Sequence, residues 1–213
     1  MKRIELKKDK YKKNEFPHFI GSWNLDNDNL CKKIIKLFEE NKDRHNVGHI
    51  ESGKDTSIKK TTDITIQPNE LSNLKFKCLN EYIKELHECF IDYHKQWPFL
   101  AEVIMEVDIG SFNIQKYSPG GHFAKFHTER SGLSLSHRVF AWMTYLNDVK
   151  DGGSTNFTHY GMKIKPEIGK TLIWPAEWTH AHSGEILNSD VKYIVTGWMH
   201  FPHKNEKSSF KSY

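Results

Sequence analysis

The chain has 213 residues, which is long enough for one well-buried domain, and its 37% apolar, 27% charged and 13% aromatic residues are typical of an ordinary soluble protein. No apolar run approaches the roughly 18 residues that a membrane helix needs, so we expect no membrane partner. The net charge is only +4 and the charge is mixed beyond the first 13 residues, which argues against a dedicated nucleic-acid domain.

Cysteine usage and the N-terminal sequence indicate the compartment. Cys31, Cys78 and Cys89 are odd in number and form no C-x-x-C pair, so we expect reduced thiols rather than a disulfide framework or a zinc ribbon. The N-terminus is basic but lacks the apolar stretch of a secretory signal. We therefore expect a cytoplasmic protein.

Residues 1–16 predict a basic, flexible arm, because a block of like charge at a terminus is usually solvated. A weak electrostatic contact of this arm with nucleic acid or with an acidic partner remains an open alternative. Residues 17–205 predict a single domain, with a helical part at about 17–100 and a core at about 101–202. Residues 206–213 predict a tail.

Two helices are predicted in the first half of the chain. The first lies in LDNDNLCKKIIKLFEENK, with Asp26 or Asn27 as its N-cap. Its apolar residues recur at helical spacing: Leu30, Ile34, Leu37 and Phe38. The segment HNVGHIESGKDTSIKKTTDITI is polar and turn-rich and predicts a loop, with a short strand at residues 64–66.

The second helix is predicted from about Glu70 to about Gln96. The dipeptide Pro68-Asn69 is a typical start signal, and Pro98 ends the helical pattern. Its predicted apolar face comprises Leu71, Leu74, Cys78, Ile83, Leu86 and Phe90.

From residue 103 onward the apolar pattern changes to a period of two. Six segments read as strands separated by turn residues, and several are apolar at both parities, as expected for strands buried on both faces. They are residues 103–117, 121–129, 137–148, 154–161, 170–180 and 191–201. Helices followed by six or more strands predict an α+β fold, a β-sandwich or barrel buttressed by helices.

Two pairs of polar residues stand out within these strands. His127 and Glu129 are two positions apart, so in an extended strand they face the same side and could hold one metal ion. An ordinary polar pair on a solvated strand is the alternative. His180 and His182 likewise alternate onto one face.

Lys192 lies in the apolar segment VKYIVTGW, ten residues after His182. A lysine there is costly to bury unless an anion meets it. Alternatively, it lies on an edge strand and reaches solvent.

The order and spacing of HTE, TYLNDVKDGGSTNF, KPEIGKTLIWPAEWTHAHSG and VKYIVTGWMHF resemble the Fe(II)/2-oxoglutarate-dependent oxygenases, in their prolyl 4-hydroxylase-like branch. The resemblance covers residues 110–202. It implies a double-stranded β-helix, or jelly-roll, core buttressed by the N-terminal helices. The cofactors it implies are Fe(II), with 2-oxoglutarate as cosubstrate and ascorbate as a possible auxiliary reductant.

The resemblance implies that His127, Glu129 and His182 are the iron ligands and the catalytic centre. His182 is chosen over His180 because it lies ten residues before Lys192 and begins H-x-G; His180 would then be packed or line the pocket. The family more often has aspartate where this chain has Glu129, which can also ligate iron.

The resemblance also implies a binding set for the cosubstrate. Lys192 would bind the distal carboxylate of 2-oxoglutarate, and Tyr145 would donate its hydroxyl to the same group. Tyr117 would border the cosubstrate and Trp198 would lie near the metal, although ordinary packing in the barrel is an equal alternative for these two.

The implied reaction is the hydroxylation of a C–H bond, with release of succinate and CO₂, and a peptidyl prolyl or other amino-acid residue is the first expectation for the substrate. A nucleic acid or a small molecule remains open as substrate. The alternatives are a non-catalytic, cupin-like metal-binding barrel, a zinc hydrolase with the same three ligands, and a nucleic-acid-binding module that acts through the basic arm.

Overall fold

The computed structural model describes residues 1–4, 17–50, 53–202 and 210–211. Most of the predicted arm, residues 5–16, therefore lies outside the described residues, as does most of the predicted tail. At the start of the arm, Lys2–Arg3 pair as a strand with Gly21–Asn24.

Within the described ranges the chain forms three α-helices and fifteen strands. The helices are α1 (Asp28–Glu40), α2 (Lys77–Gln96) and α3 (Pro98–Val103). The strands are β1 (Lys2–Arg3), β2 (Gly21–Asn24), β3 (Asn46–Val47), β4 (Lys59–Lys60), β5 (Thr62–Ile66), β6 (Glu106–Ile109), β7 (Phe112–Tyr117), β8 (His122–His127), β9 (Arg138–Tyr145), β10 (Thr155–Phe157), β11 (Met162–Ile164), β12 (Lys170–Pro175), β13 (His182–Gly184), β14 (Lys192–His200) and β15 (Phe210–Lys211). None of the helices in this part of the chain is long and apolar enough to cross a bilayer.

The strands form two antiparallel sheets. The larger sheet has the order β1-β2-β12-β9-β14-β7-β5-β3, and β6 pairs with both β14 and β15. The smaller sheet has the order β11-β10-β13-β8-β4. This is the jelly-roll arrangement, so the predicted α+β fold class is confirmed.

The central strand β9 explains how the layers pack. Its side chains alternate, so that Trp142 packs against Tyr82 of α2, with ring centroids 5.8 Å apart. On the opposite face Met143 lies in a second apolar cluster that includes Phe157 of the smaller sheet. The larger sheet therefore lies between the helices and the smaller sheet, and β9 is buried on both faces, as predicted.

The first predicted helix is confirmed. Asn27 is the N-cap, and its side chain accepts a hydrogen bond from the backbone N–H of Leu30 at 3.2 Å. All four residues of the predicted stripe are buried.

The second predicted helix begins later than expected. Of its predicted apolar face, Leu86 and Phe90 are buried, and Leu71, Cys78 and Ile83 are partly buried and pack against the core, but Leu74 is wrong. Residues 68–72 and 74–76 form 3₁₀ turns, and Leu74 is 87% exposed. Because a 3₁₀ turn has three residues rather than 3.6, a stripe that starts there falls out of phase with the α-helix. The buried face of α2 comprises Leu79, Tyr82, Leu86, Cys89, Phe90, Tyr93 and His94. Pro98 does end the helix, and it begins α3.

The predicted strand segments are correct in position but too long. Residues 103–117 divide at Gly110 into β6 and β7, and β8 ends at His127, so Glu129 lies just beyond the strand. Several short strands were not predicted, including β2, β4, β11 and β13. Strands of two to four residues carry too little periodicity to be recognised in a sequence.

Candidate functional site

The structure brings His127, Glu129 and His182 together. The two histidines lie opposite each other in the pairing of β8 with β13, and Glu129 follows the end of β8. Glu129 Oε1 is 3.3 Å from His182 Nε2 and 3.9 Å from His127 Nε2. The three ligand atoms lie within 4.8 Å of one another. We call these three residues the ligand cluster.

Main-chain carbonyls orient both imidazole rings. Nδ1 of His127 is 2.8 Å from the carbonyl oxygen of Lys125, and Nδ1 of His182 is 3.0 Å from that of His180. A carbonyl only accepts, so each Nδ1 carries the proton and each Nε2 presents its lone pair to the cluster. Burial lowers the pKa of His127 to about 4, so this ring is neutral and able to bind a metal at neutral pH.

The carboxylate of Glu129 is held from the opposite side by Trp198. The indole Nε1–H donates to Oε2 at 2.7 Å, which leaves Oε1 directed at the histidines. Burial acts to raise the pKa of Glu129, but its contacts with His182 and His127 and the indole N–H of Trp198 outweigh this effect and lower the pKa to about 2. The carboxylate is therefore ionised at neutral pH. Two imidazoles and one carboxylate are a typical donor set for non-haem Fe(II).

The ligand cluster lines a cavity of about 940 Å³ that also contains Lys192. Lys192 is 3% exposed, so the alternative of a lysine that reaches solvent is wrong. Its Nζ donates to the carbonyl oxygen of Gly153 at 2.8 Å and lies 4.0 Å from the centroid of the Tyr117 ring.

The ammonium group of Lys192 has no carboxylate within 4.0 Å among the described residues. Burial lowers its pKa to about 7, and Glu185 acts weakly in the opposite direction. A buried cation in a cavity wall is a binding site for an anion. We call Lys192, Tyr117, Gly153 and Thr155, which also lines the cavity, the anion pocket.

Comparison with known proteins identifies the fold family. Residues 112–200 match the family model of the 2OG-Fe(II) oxygenase superfamily. This match covers about two fifths of the chain. A probable prolyl 4-hydroxylase 9 of Arabidopsis thaliana is 26% identical over 115 residues, which cover 42% of this chain and 40% of that protein. The predicted resemblance, including its prolyl 4-hydroxylase-like branch, is confirmed.

Solved structures show the same fold. A prolyl-4-hydroxylase of Pseudomonas putida has a TM-score of 0.66 at 16% identity, covering 87% of this chain and 94% of that one. A Trichoplax adhaerens prolyl hydroxylase, in complex with a peptide fragment of the hypoxia inducible factor oxygen degradation domain, has a TM-score of 0.67 at 12% identity, covering 86% and 84%. The chain spans about two fifths of the length of the Arabidopsis prolyl 4-hydroxylases that it matches.

The two tyrosines predicted at the cosubstrate site lie in different positions. Tyr117 lines the cavity beneath the ammonium group of Lys192, as expected for a residue that borders the cosubstrate. Tyr145 lies behind the wall, where its hydroxyl is 2.6 Å from Thr155 Oγ1 and 3.3 Å from the carbonyl oxygen of Ile164. The hydroxyl at the cavity wall is therefore that of Thr155, and a direct bond from Tyr145 to a bound carboxylate stays a prediction.

His180 is packed outside the ligand cluster. Its ring is buried, with Nε2 2.9 Å from the carbonyl oxygen of His18 and Nδ1 3.0 Å from Thr179 Oγ1. Its own carbonyl oxygen orients His182. The choice of His182 over His180 agrees with this arrangement.

Sequence reasoning missed two residues next to the predicted set. Arg138 places its guanidinium 3.7 Å from the centroid of the Trp198 ring and donates to the backbone oxygen of Glu129 at 2.9 Å. Thr155 was read only as part of a strand. The position of Arg138 at the start of β9, paired near the end of β14, could have suggested its contact, but only once the pairing of these strands was known.

Proposed function

We propose that this chain is an Fe(II)- and 2-oxoglutarate-dependent dioxygenase that hydroxylates a C–H bond of a peptidyl prolyl or other amino-acid residue and releases succinate and CO₂. One observation carries the proposal. A cluster of two imidazoles and one carboxylate shares a cavity with a buried lysine that has no carboxylate partner in the described part of the chain.

The ligand cluster fits iron in its chemistry. His127 and His182 would each offer Nε2, and Glu129 would offer Oε1, while the carbonyls and Trp198 hold these groups in orientation. When bound there, Fe(II) supplies the activation of dioxygen that couples decarboxylation of a 2-oxo acid to oxidation of the substrate. The protein's part is to fix the donor atoms and to place them in the wall of the cavity.

The anion pocket fits a dicarboxylate. The Lys192 ammonium would pair with the distal carboxylate, and Thr155 Oγ1 would offer a hydroxyl from the wall. A zinc hydrolase with the same ligand cluster would leave the buried Lys192 unexplained. The anion pocket therefore favours the oxygenase over that alternative.

A peptide substrate is supported by the relatives and by the rim of the cavity. The relatives are named as prolyl 4-hydroxylases, and the Trichoplax enzyme binds a peptide fragment. At the rim two large aromatic side chains remain exposed, Phe126 at 45% and Trp178 at 68%. Such a surface suits the apolar residues that flank a modified position in a peptide.

The test is succinate release from 2-oxoglutarate with Fe(II), measured over a panel of proline-containing peptides and free amino acids. We expect succinate to form in proportion to a product that has gained one oxygen atom. Omission of Fe(II) or of 2-oxoglutarate should abolish both. Metal binding without 2-oxoglutarate turnover on any substrate would favour the non-catalytic, cupin-like alternative.

We also propose that ascorbate sustains turnover and that the protein is cytoplasmic. The first rests on the resemblance alone, and the second on the composition of the chain. Repeated turnovers with and without ascorbate would test the first, and fractionation of cells that express the full chain would test the second.

A further inference from the structure

A buried series of hydrogen bonds leads from β4 to the anion pocket. Lys59 Nζ donates to Asp63 Oδ2 at 2.7 Å, and Gln115 Nε2 donates to the same oxygen at 3.1 Å. The hydroxyl of Tyr117 then donates to Gln115 Oε1 at 2.9 Å. All four side chains are buried and line the cavity.

These hydrogen bonds connect three strands, β4, β5 and β7. Lys59 lies on β4 of the smaller sheet, and Asp63 lies opposite Gln115 in the pairing of β5 with β7. Tyr117 lies opposite Lys192 in the pairing of β7 with β14. The Tyr117 ring is at the end of this series of hydrogen bonds, and its centroid lies 4.0 Å from the Nζ of Lys192.

The direction of each bond is fixed by chemistry. An ionised carboxylate only accepts, so Gln115 must present its NH₂ to Asp63 and its oxygen to Tyr117. Burial raises the pKa of Tyr117, so its hydroxyl stays protonated and donates to Gln115. The carboxylate of Asp63 therefore determines the orientation of the Gln115 amide and, through it, of the Tyr117 ring.

We propose that Lys59 and Asp63 are a positioning pair that aligns Tyr117 beneath Lys192 and thereby sets the affinity of the anion pocket for a dicarboxylate. This inference rests on the proposed function, in which that dicarboxylate is 2-oxoglutarate. Neither residue needs to touch the ligand. Their effect reaches the ligand through Gln115, Tyr117 and Lys192.

The free-energy cost of burying the Lys59–Asp63 ion pair argues that the pair has a role beyond stabilising the fold. A buried ion pair is often no more stabilising than apolar side chains of similar size. Asp63 carries a further cost, because its Oδ1 is buried and has no hydrogen-bond partner among the described residues. An apolar pair would fill this space without orienting Gln115.

The test is Asp63→Asn, which keeps the shape and removes the charge. An asparagine can offer Gln115 either a donor or an acceptor, so the amide of Gln115 is no longer held in one orientation. We expect the dissociation constant for 2-oxoglutarate to rise about tenfold, which is the scale of one charge-assisted hydrogen bond. It is measured by calorimetric titration of 2-oxoglutarate into Mn(II)-loaded protein. Mn(II) affinity and kcat at saturating cosubstrate should change little.

Lys116→Met is the matched control. Lys116 lies between Gln115 and Tyr117 on β7 but faces the other way, where its Nζ donates to Glu39 at 2.7 Å. The control breaks an ion pair on the same strand, so thermal stability should fall while the affinity for 2-oxoglutarate stays that of the wild type.

The double variant Lys59→Met/Asp63→Leu separates positioning from stability. It removes both charges, so it should fold at least as stably as Asp63→Asn, yet it still leaves Gln115 without its acceptor and should bind 2-oxoglutarate as weakly. Wild-type affinity in either the double variant or Asp63→Asn would overturn the inference. Failure of the wild-type protein to bind 2-oxoglutarate would instead overturn the proposed function.

Discussion

The ligand cluster and the anion pocket lie in one cavity but hold their charged groups in different ways. In the ligand cluster each imidazole is held by a carbonyl two residues earlier in the chain, Lys125 for His127 and His180 for His182. In the anion pocket Lys192 is held by the carbonyl of Gly153, 39 residues away. The ligand cluster is thus oriented by contacts between residues close in the sequence, and the anion pocket by a contact between residues far apart in the sequence.

The two regions also differ in charge. In the ligand cluster the charged group, the carboxylate of Glu129, has two imidazoles of the protein as its neighbours. The anion pocket contains a cation whose pKa is lowered by burial and which no carboxylate of the described residues contacts. The comparison indicates that the ligand cluster is formed before a metal binds, whereas the anion pocket is completed only by its ligand. The predictions below test this difference.

The largest effect is expected from His182→Ala, which removes a donor atom from the ligand cluster. Metal affinity should fall by more than about a hundredfold, since even changes to residues that support a ligand cost about 10–100-fold. Equilibrium dialysis with Fe(II) or Mn(II) measures this. His122→Ala, at the other end of the paired strand β8, is the control and should bind metal normally. Stoichiometric metal in His182→Ala would remove His182 from the ligand cluster.

The second prediction concerns the anion pocket alone. Lys192→Ala should weaken 2-oxoglutarate binding about a hundredfold, on the scale of a strong hydrogen bond to a charged group, while metal binding stays nearly intact. Calorimetric titration of each ligand separates the two. Equal loss of both would show that the two regions are not independent.

Lys170→Ala is the matched control for Lys192. Lys170 is also a buried lysine in a strand, but its Nζ meets the carboxylate of Glu167 at 2.7 Å. Its replacement should lower thermal stability and leave 2-oxoglutarate affinity unchanged. The contrast tests whether a missing carboxylate partner marks the lysine that binds an anion.

The same difference explains what could be predicted from the sequence. His127 and Glu129 stood out because they are two residues apart, a short-range pattern, and His182 was assigned to the same set by the family resemblance, from its spacing to Lys192 and its H-x-G. The pocket's Lys192 was found by its apolar surroundings. Asp63 and Gln115 were not found, because their contact depends on the pairing of β5 with β7, which no local pattern encodes. Leu74 was wrongly assigned to the apolar face of α2 for a related reason, since it lies in a 3₁₀ turn before the helix and is out of phase with it.

The third prediction is Trp198→Phe, which removes the N–H that holds Glu129 Oε2 but keeps an aromatic ring near Arg138. Metal affinity should fall about tenfold, the lower end of the range for residues that support a ligand. Dialysis of the variant beside the wild type measures it. If affinity is unchanged, main-chain contacts alone orient the ligand cluster.

The smallest effect is a pH dependence of the anion pocket. Burial lowers the pKa of Lys192 to about 7, with Glu185 as the charged group that opposes the shift and Tyr117 neutral beside it. Because a carboxylate pairs with the ammonium form, the KM for 2-oxoglutarate should rise about fivefold from pH 7 to pH 8. Lys192→Arg keeps its charge throughout this range, so its KM should stay flat.

Whereas the affinity for 2-oxoglutarate should fall as the pH rises, the stability of the ligand-free protein should rise, and over a wider range. The pKa of Lys192 in the folded protein, about 7, lies below its ordinary value of 10.5, so between these pH values the unfolded chain binds more protons at this site. The free energy of unfolding should therefore rise with pH across that window, and the rise should be smaller in Lys192→Met, which has no group to titrate there. Chemical denaturation at pH 7 and pH 9 measures it. If the wild type and Lys192→Met respond alike, groups of the folded protein already offset the cost of burying the Lys192 ammonium. The anion pocket is then complete without its ligand, just as the ligand cluster is complete without its metal.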